Sequence, residues 1–135
     1  MVLTPAEVVR TWFERVWNQA DETAIDELLP PGAIAHGLTN QDGSEVRGTA
    51  AFKEFARRFR EGLPDIRIEV LRTITEGDMC AAHCDVTGTH PATKTPIHFT
   101  GICICRVRDG QIKEAWNEFD FLTFFEQTGA VKRIV

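Results

Sequence analysis

The sequence predicts an α+β fold in which helices come first and a sheet follows. Apolar residues recur at helical spacing up to Leu63, and from Asp65 the period changes to two, with Gly-containing turn signals between the runs. That order places the helices on one face of a single antiparallel sheet. A chain of 135 residues suffices for one compact domain, residues 1–135, with one core.

The first helix opens on a capping box, Thr4-Pro5-Ala6-Glu7, and Val9, Trp12, Phe13, Val16 and Trp17 then form one wide apolar face. Asn18-Gln19-Ala20-Asp21 breaks it. Asp21 caps a second, short helix in which Ile25, Leu28 and Leu29 face inward until Pro30-Pro31 stops it. A short strand is predicted around Ala33–His36, and the polar stretch Gly37–Gly48 reads as a loop. Thr49 is expected to cap a third helix, Ala50–Glu61, with Phe52, Phe55, Ala56 and Phe59 on one side and Gly62-Leu63-Pro64 as its stop.

In the second half Ile66, Ile68 and Val70 alternate with Arg67 and Glu69, a strand with one wet side. Glu76-Gly77-Asp78 turns into a strand over Met79–His90, and a third covers roughly Ile97–Val107. Asp109-Gly110 is a hairpin signal leading into a fourth, Ile112–Asp120, and a final helix covers Phe121–Gln127. Gly101-Ile102-Cys103-Ile104-Cys105 is apolar at both parities, so its strand is expected to be covered on both faces. The helices cover one face, and a second copy of the chain is the expected cover of the other, giving a homodimer through the outer sheet face.

Composition narrows the function classes. Hydrophobic residues at 43% and charged residues at 26% are the balance of a globular chain rather than a disordered or membrane one. No apolar run approaches the ~20 residues that span a bilayer, and the segment after Met1 lacks the pattern of a signal peptide, so a cytoplasmic location is expected. A formal net charge of −5 argues against nucleic acid as a partner. The one basic cluster, Arg57, Arg58 and Arg60, reads as the solvated side of the third helix. Cys80, Cys84, Cys103 and Cys105 lie in apolar runs without a CxxC pair and read as buried free thiols.

Trp17-Asn18-Gln19-Ala20-Asp21, Gly77-Asp78, Gly88-Thr89-His90, the run Asp109 to Trp116, Asp120 and Gln127-Thr128-Gly129 together resemble the SnoaL-like polyketide cyclase family over nearly the whole chain. The resemblance implies the nuclear-transport-factor-2-like fold, a curved antiparallel sheet wrapped with helices into a cone around a ligand pocket. It also implies that Asp120 is the aspartate that exchanges a proton with the substrate's activated carbon and carbonyl oxygen during an intramolecular aldol closure. Two departures stand out. His90 is followed directly by Pro91-Ala92-Thr93-Lys94-Thr95-Pro96, a shorter loop than relatives carry, and Cys103 and Cys105 stand where larger or more polar groups are expected.

Period-two alternation places Ile112, Glu114, Trp116, Glu118 and Asp120 on one face of the last strand, expected to be the pocket face. An aspartate enclosed by apolar walls has its charged form disfavoured and its pKa raised, which suits acid/base work; Asp120 equally fits the cap of the final helix. His90 is the candidate helper, an imidazole suited to proton transfer, or else a strand-end residue facing solvent. His36 at the cone mouth and Trp116 are candidate substrate contacts, and Trp12, Phe55 and Phe59 candidate walls. His98 is placed at the rim or outside, His83 and Asp85 on the outer face, and Glu114 beside an arginine such as Arg106. The histidines match no zinc spacing, no cofactor is implied, and there is no phosphate loop or nucleophile elbow. The expected activity is cofactor-independent cyclisation or isomerisation of a small apolar carbonyl compound. The alternatives are a non-catalytic binding protein for such a ligand, or a hydrolase or dehydratase of the same fold.

Overall fold

A computed structural model describes residues 3–134; Met1, Val2 and Val135 lie outside the described residues. In chain order the elements are α1 (Pro5–Trp12), continuing without interruption as a π-helical segment (Phe13–Asn18), α2 (Glu22–Leu28), β1 (Ile34–Thr39), β2 (Glu45–Arg47), α3 (Gly48–Gly62), β3 (Arg67–Glu76), β4 (Met79–Thr89), β5 (Pro96–Arg108), β6 (Gln111–Phe119) and α4 (Phe121–Thr128). The α+β class is as predicted. The capping box is complete, with Glu7 N–H donating to Thr4 Oγ1 at 3.2 Å and Thr4 N–H to Glu7 Oε1 at 3.0 Å. Asn18 then ties the end of the first helix to β3, its amide exchanging two hydrogen bonds with the Ile68 backbone at 2.7 and 2.8 Å.

The six strands form one open sheet in the order β2-β1-β6-β5-β4-β3. All neighbours pair antiparallel except β1 and β6, which run parallel, so the sheet is mixed rather than purely antiparallel. Two further expectations are corrected. The stretch Gly37–Gly48 contains the end of β1 and all of β2, joined by a turn at Asn40–Ser44; a three-residue edge strand with one apolar residue, Val46, has too little pattern to stand out. Thr49 does not cap α3. Arg47 holds the cap position, and Thr49 Oγ1 donates to the Leu29 carbonyl at 2.8 Å, pinning α3 to the end of α2.

Two irregularities decide which side chains face the helices. In β6 the pairing steps from Val107↔Ile112 to Arg106↔Glu114, so Lys113 is an extra residue in a β-bulge. A one-residue insertion reverses the parity of the rest of the strand. Ile112, Ala115, Asn117 and Phe119 therefore face the helices, and Glu114, Trp116 and Glu118 the opposite side. In β1, Gly37 at φ +84° does the same job, letting both Ala35 and Leu38 point inward. A Cβ at Gly37 would lie 2.0 Å from the Asn117 carbonyl oxygen, so only glycine fits where β1 runs against β6.

The core lies between the inner sheet face and the helices. Trp12, Phe13, Val16, Trp17, Phe52 and Phe55 pack on Cys80, Cys84, Cys103, Cys105, Ile97 and Phe99, and no polar or charged side chain is buried among the described residues. All four cysteines are free and buried, as expected. On the outer face a row runs across five strands, Ile74–Ala81–Ile104–Trp116–His36. Ile74 is 73% exposed, and Ile102 and Ile104 also reach solvent. The middle of β5 is thus apolar on both faces, but only the inner one is covered within the chain.

Candidate ligand cavity

The inner face encloses a cavity of about 60 Å³. Trp12 and Trp17 from the first helix, Phe52, Phe55 and Phe59 from α3, Cys103 and Cys105 from β5, Ala115, Asn117 and Phe119 from β6, and Phe121 from α4 line it. The aromatic walls pack edge-on and offset: Trp12 against Phe52 at 4.9 Å between ring centroids, Trp17 against Phe59 at 6.0 Å, and Phe59 stacked on Phe124 of α4 at 5.4 Å. No carboxylate, imidazole, ammonium or guanidinium is among the lining side chains. Burial pushes the Cys84 thiol up to about 12, and the contact with Cys105 together with burial pushes Cys103 up.

Asn117 is the exception to this apolar lining. Its side-chain N–H donates to the His36 backbone carbonyl at 2.9 Å, which fixes the amide against β1. Sequence reasoning missed it, because uninterrupted alternation from Ile112 puts Asn117 on the opposite face. The bulge at Lys113, which reverses that assignment, has no local signature.

Trp12, Phe55 and Phe59 stand where the sequence placed them, on the cavity wall. Asp120 does not: it is exposed rather than buried. It is the N-cap of α4, accepting hydrogen bonds from Thr123 N–H at 3.1 Å and Thr123 Oγ1 at 2.6 Å. Those bonds, the hydroxyl contact first, hold its carboxyl below the ordinary range instead of raising it. Its chain neighbours Phe119 and Phe121 both line the cavity, so the Asp120 backbone sits at the rim with the side chain turned outward.

His90 follows β4, and its Nδ1 hydrogen-bonds Thr93 Oγ1 at 2.9 Å within the shortened β4–β5 loop; it is not among the cavity-lining residues. His36 and Trp116 do come together, stacked at 5.6 Å, but on the outer face, because the β6 bulge turns Trp116 outward and His36 is its cross-strand neighbour. The His36 ring bridges two carboxylates, with Nε2 2.6 Å from Glu114 Oε2 and Nδ1 against Glu45 Oε2. Glu114 first and Glu45 second raise its pKa. Glu114 therefore partners His36, not Arg106. Also on the outer face, Asp85 pairs with His98, Nε2 to Oδ1 at 2.5 Å, while His83 contacts Arg72. The basic cluster divides: Arg57 is exposed as expected and pairs with Glu22, whereas the Arg60 guanidinium is less solvated, donates to the Val16 and Trp17 carbonyls and lies over the Trp17 ring.

An open mixed sheet whose inner face and covering helices enclose an aromatic cavity defines the cone-shaped α+β class. Comparison with known proteins gives the family: residues 7–128 match the model for SnoaL-like polyketide cyclase, and the chain belongs to that family. Among solved structures, wild-type IdmH from Streptomyces antibioticus superimposes with a TM-score of 0.84 at 26% identity, over 94% of this chain and 99% of that one. A protein from Bacillus cereus ATCC 10987, proposed to be a polyketide cyclase, is similar at 28% identity and a TM-score of 0.79, over 95% and 80% of the two chains. A protein of ketosteroid isomerase-like fold from Catenulispora acidiphila DSM 44928, at 16% identity and a TM-score of 0.78 over 94% and 95%, shares the fold. No curated protein matches. No helix among the described residues is long and apolar enough to cross a membrane.

Proposed function

We propose that the chain binds a small, largely apolar carbonyl compound in the aromatic cavity and catalyses cofactor-independent cyclisation or isomerisation by moving a proton at the carbon next to the carbonyl. The observation that carries this reading is an apolar cavity with a single amide, Asn117, fixed in its wall. An apolar body gains by leaving water, and the carbonyl gains a donor that strengthens as negative charge develops on oxygen in an enolate-like transition state. Asp120, ionised at neutral pH and next to two cavity-lining phenylalanines, is the proton carrier in this reading. Its side chain must first leave Thr123. His90 is the helper drawn from the family resemblance. The exposed isoleucines of the outer face support a homodimer through that face.

Exchange of the α-protons of acetophenone in deuterated water, followed by NMR, tests the chemistry. Wild type should accelerate exchange, and Asn117→Leu should lose about a hundredfold of that acceleration. Asp120→Asn should lose as much while leaving binding intact, because asparagine caps a helix as well as aspartate. Undiminished exchange in Asp120→Asn would remove Asp120 from the mechanism. The lack of any ionised group on the cavity wall favours a second reading, a non-catalytic carrier; for that protein acetophenone would raise the melting temperature with no exchange in any variant.

A further inference from the structure

The cavity shares part of its aromatic wall with a neighbouring space. Leu38, Phe55, Phe59 and Phe121 also line a second, more open pocket of about 320 Å³ between β1, α3 and α4. The inner space alone has room for only a few water molecules, so a ligand of several carbons would have to reach past Phe59 into this second pocket, the mouth of the site. Arg58 is the one charged side chain lining the mouth.

Arg58 is held there without a counter-charge. Its guanidinium lies 5.6 Å from the centre of the Phe55 ring and its Nη2 donates to the Thr39 carbonyl at 2.8 Å, while its residue is only half exposed. Glu54 and Glu61, four residues before it and three after, are in helical reach, yet among the described residues Arg58 makes no ion pair. Its neighbour Arg57 is committed to Glu22 and Arg60 to two backbone carbonyls, but Arg58 uses one of its five N–H donors. A partly desolvated guanidinium with open donors beside an aromatic wall suits a carboxylate taken up through two parallel hydrogen bonds.

We propose that Arg58 is the specificity-determining residue at the mouth, and that the ligand is an amphipathic acid with its apolar body in the cavity and its carboxylate on the Arg58 guanidinium. The proposal rests on the reading of the cavity as the ligand site. Calorimetric titration with cinnamate and methyl cinnamate, which share one apolar body, separates the two. Wild type should bind the acid about tenfold or more tightly than the ester, the effect of one charge-assisted pair in a partly desolvated site. In Arg58→Gln the acid should fall to within about twofold of an unchanged ester, and Arg58→Lys, which keeps the charge but not the fork, should lie between. Equal affinity for acid and ester in wild type overturns the proposal and leaves the cavity reading standing. Equal losses for both ligands in Arg58→Gln also overturn it, because they mean that Arg58 only supports the wall. Binding of neither ligand overturns both readings.

Discussion

The two faces of the sheet are built from the same strands and share almost no chemistry. Inward, β4, β5 and β6 present Cys80, Cys84, Cys103, Cys105, Ala115 and one amide to a wall of aromatic rings. Outward, the same strands carry Asp85 against His98, His83 against Arg72, and Glu114 against His36. The difference teaches that a single extra residue, Lys113, allots the groups: without the reversal it causes, Glu114 and Trp116 would face the cavity and Asn117 would face solvent.

Matched substitutions on adjacent residues of β6 put the largest strain on this contrast. Ala115→Asp places an unpaired carboxyl among aromatic rings and should cost about 4 kcal/mol or prevent folding, read by urea denaturation. Trp116→Lys one residue on should cost only about 1 kcal/mol, because its side chain faces outward. Comparable losses would refute the face assignment. Next in size, Gly37→Ala forces a Cβ onto the Asn117 carbonyl at positive φ and should cost about 3 kcal/mol by the same measurement.

The His36 cluster gives a pH signature. A raised folded-state pKa means that its stabilisation is fully present below the ordinary value of 6.5 and is lost as pH rises through the elevated one. Melting temperature should therefore fall across that window in wild type, and the fall should shrink in His36→Gln. Asp120 runs the opposite way, stabilising above 3.8 and losing its contribution as pH falls through the depressed value. The smallest effects are expected at Asp120: about 1 kcal/mol for the lost cap in Asp120→Ala, and close to none in Asp120→Asn.

Elements whose signals are local were legible in the sequence. Thr4-Pro5-Ala6-Glu7 announces its helix through groups three residues apart, Asp109-Gly110 announces its hairpin, and Trp12, Phe55 and Phe59 share helical spacing with the core they join. The features that stayed hidden depend on residues far apart in the chain. β1 lies parallel to β6 across some eighty residues, β2 is three residues at an edge with a single apolar one, Val46, and the Lys113 bulge exists only relative to β5. Both errors about β6 stem from that bulge, the outward turn of Trp116 and the overlooked Asn117. Asp120 carried two compatible signals, a family position and the place of a helix cap; the hydrogen bonds to Thr123 realise the second.

The three tryptophans divide between the faces, Trp12 and Trp17 on the cavity wall and Trp116 outside, stacked on His36. That division tests the central claim, that ligand enters the inner cavity. Acetophenone is titrated into Trp116→Phe, which emits only from the wall, and into the Trp12→Phe/Trp17→Phe double variant, which emits only from the outer face. Saturable quenching in the first and none beyond collisional quenching in the second is the predicted result. Saturable quenching of Trp116 with silent wall tryptophans would place the site on the outer face and contradict the account.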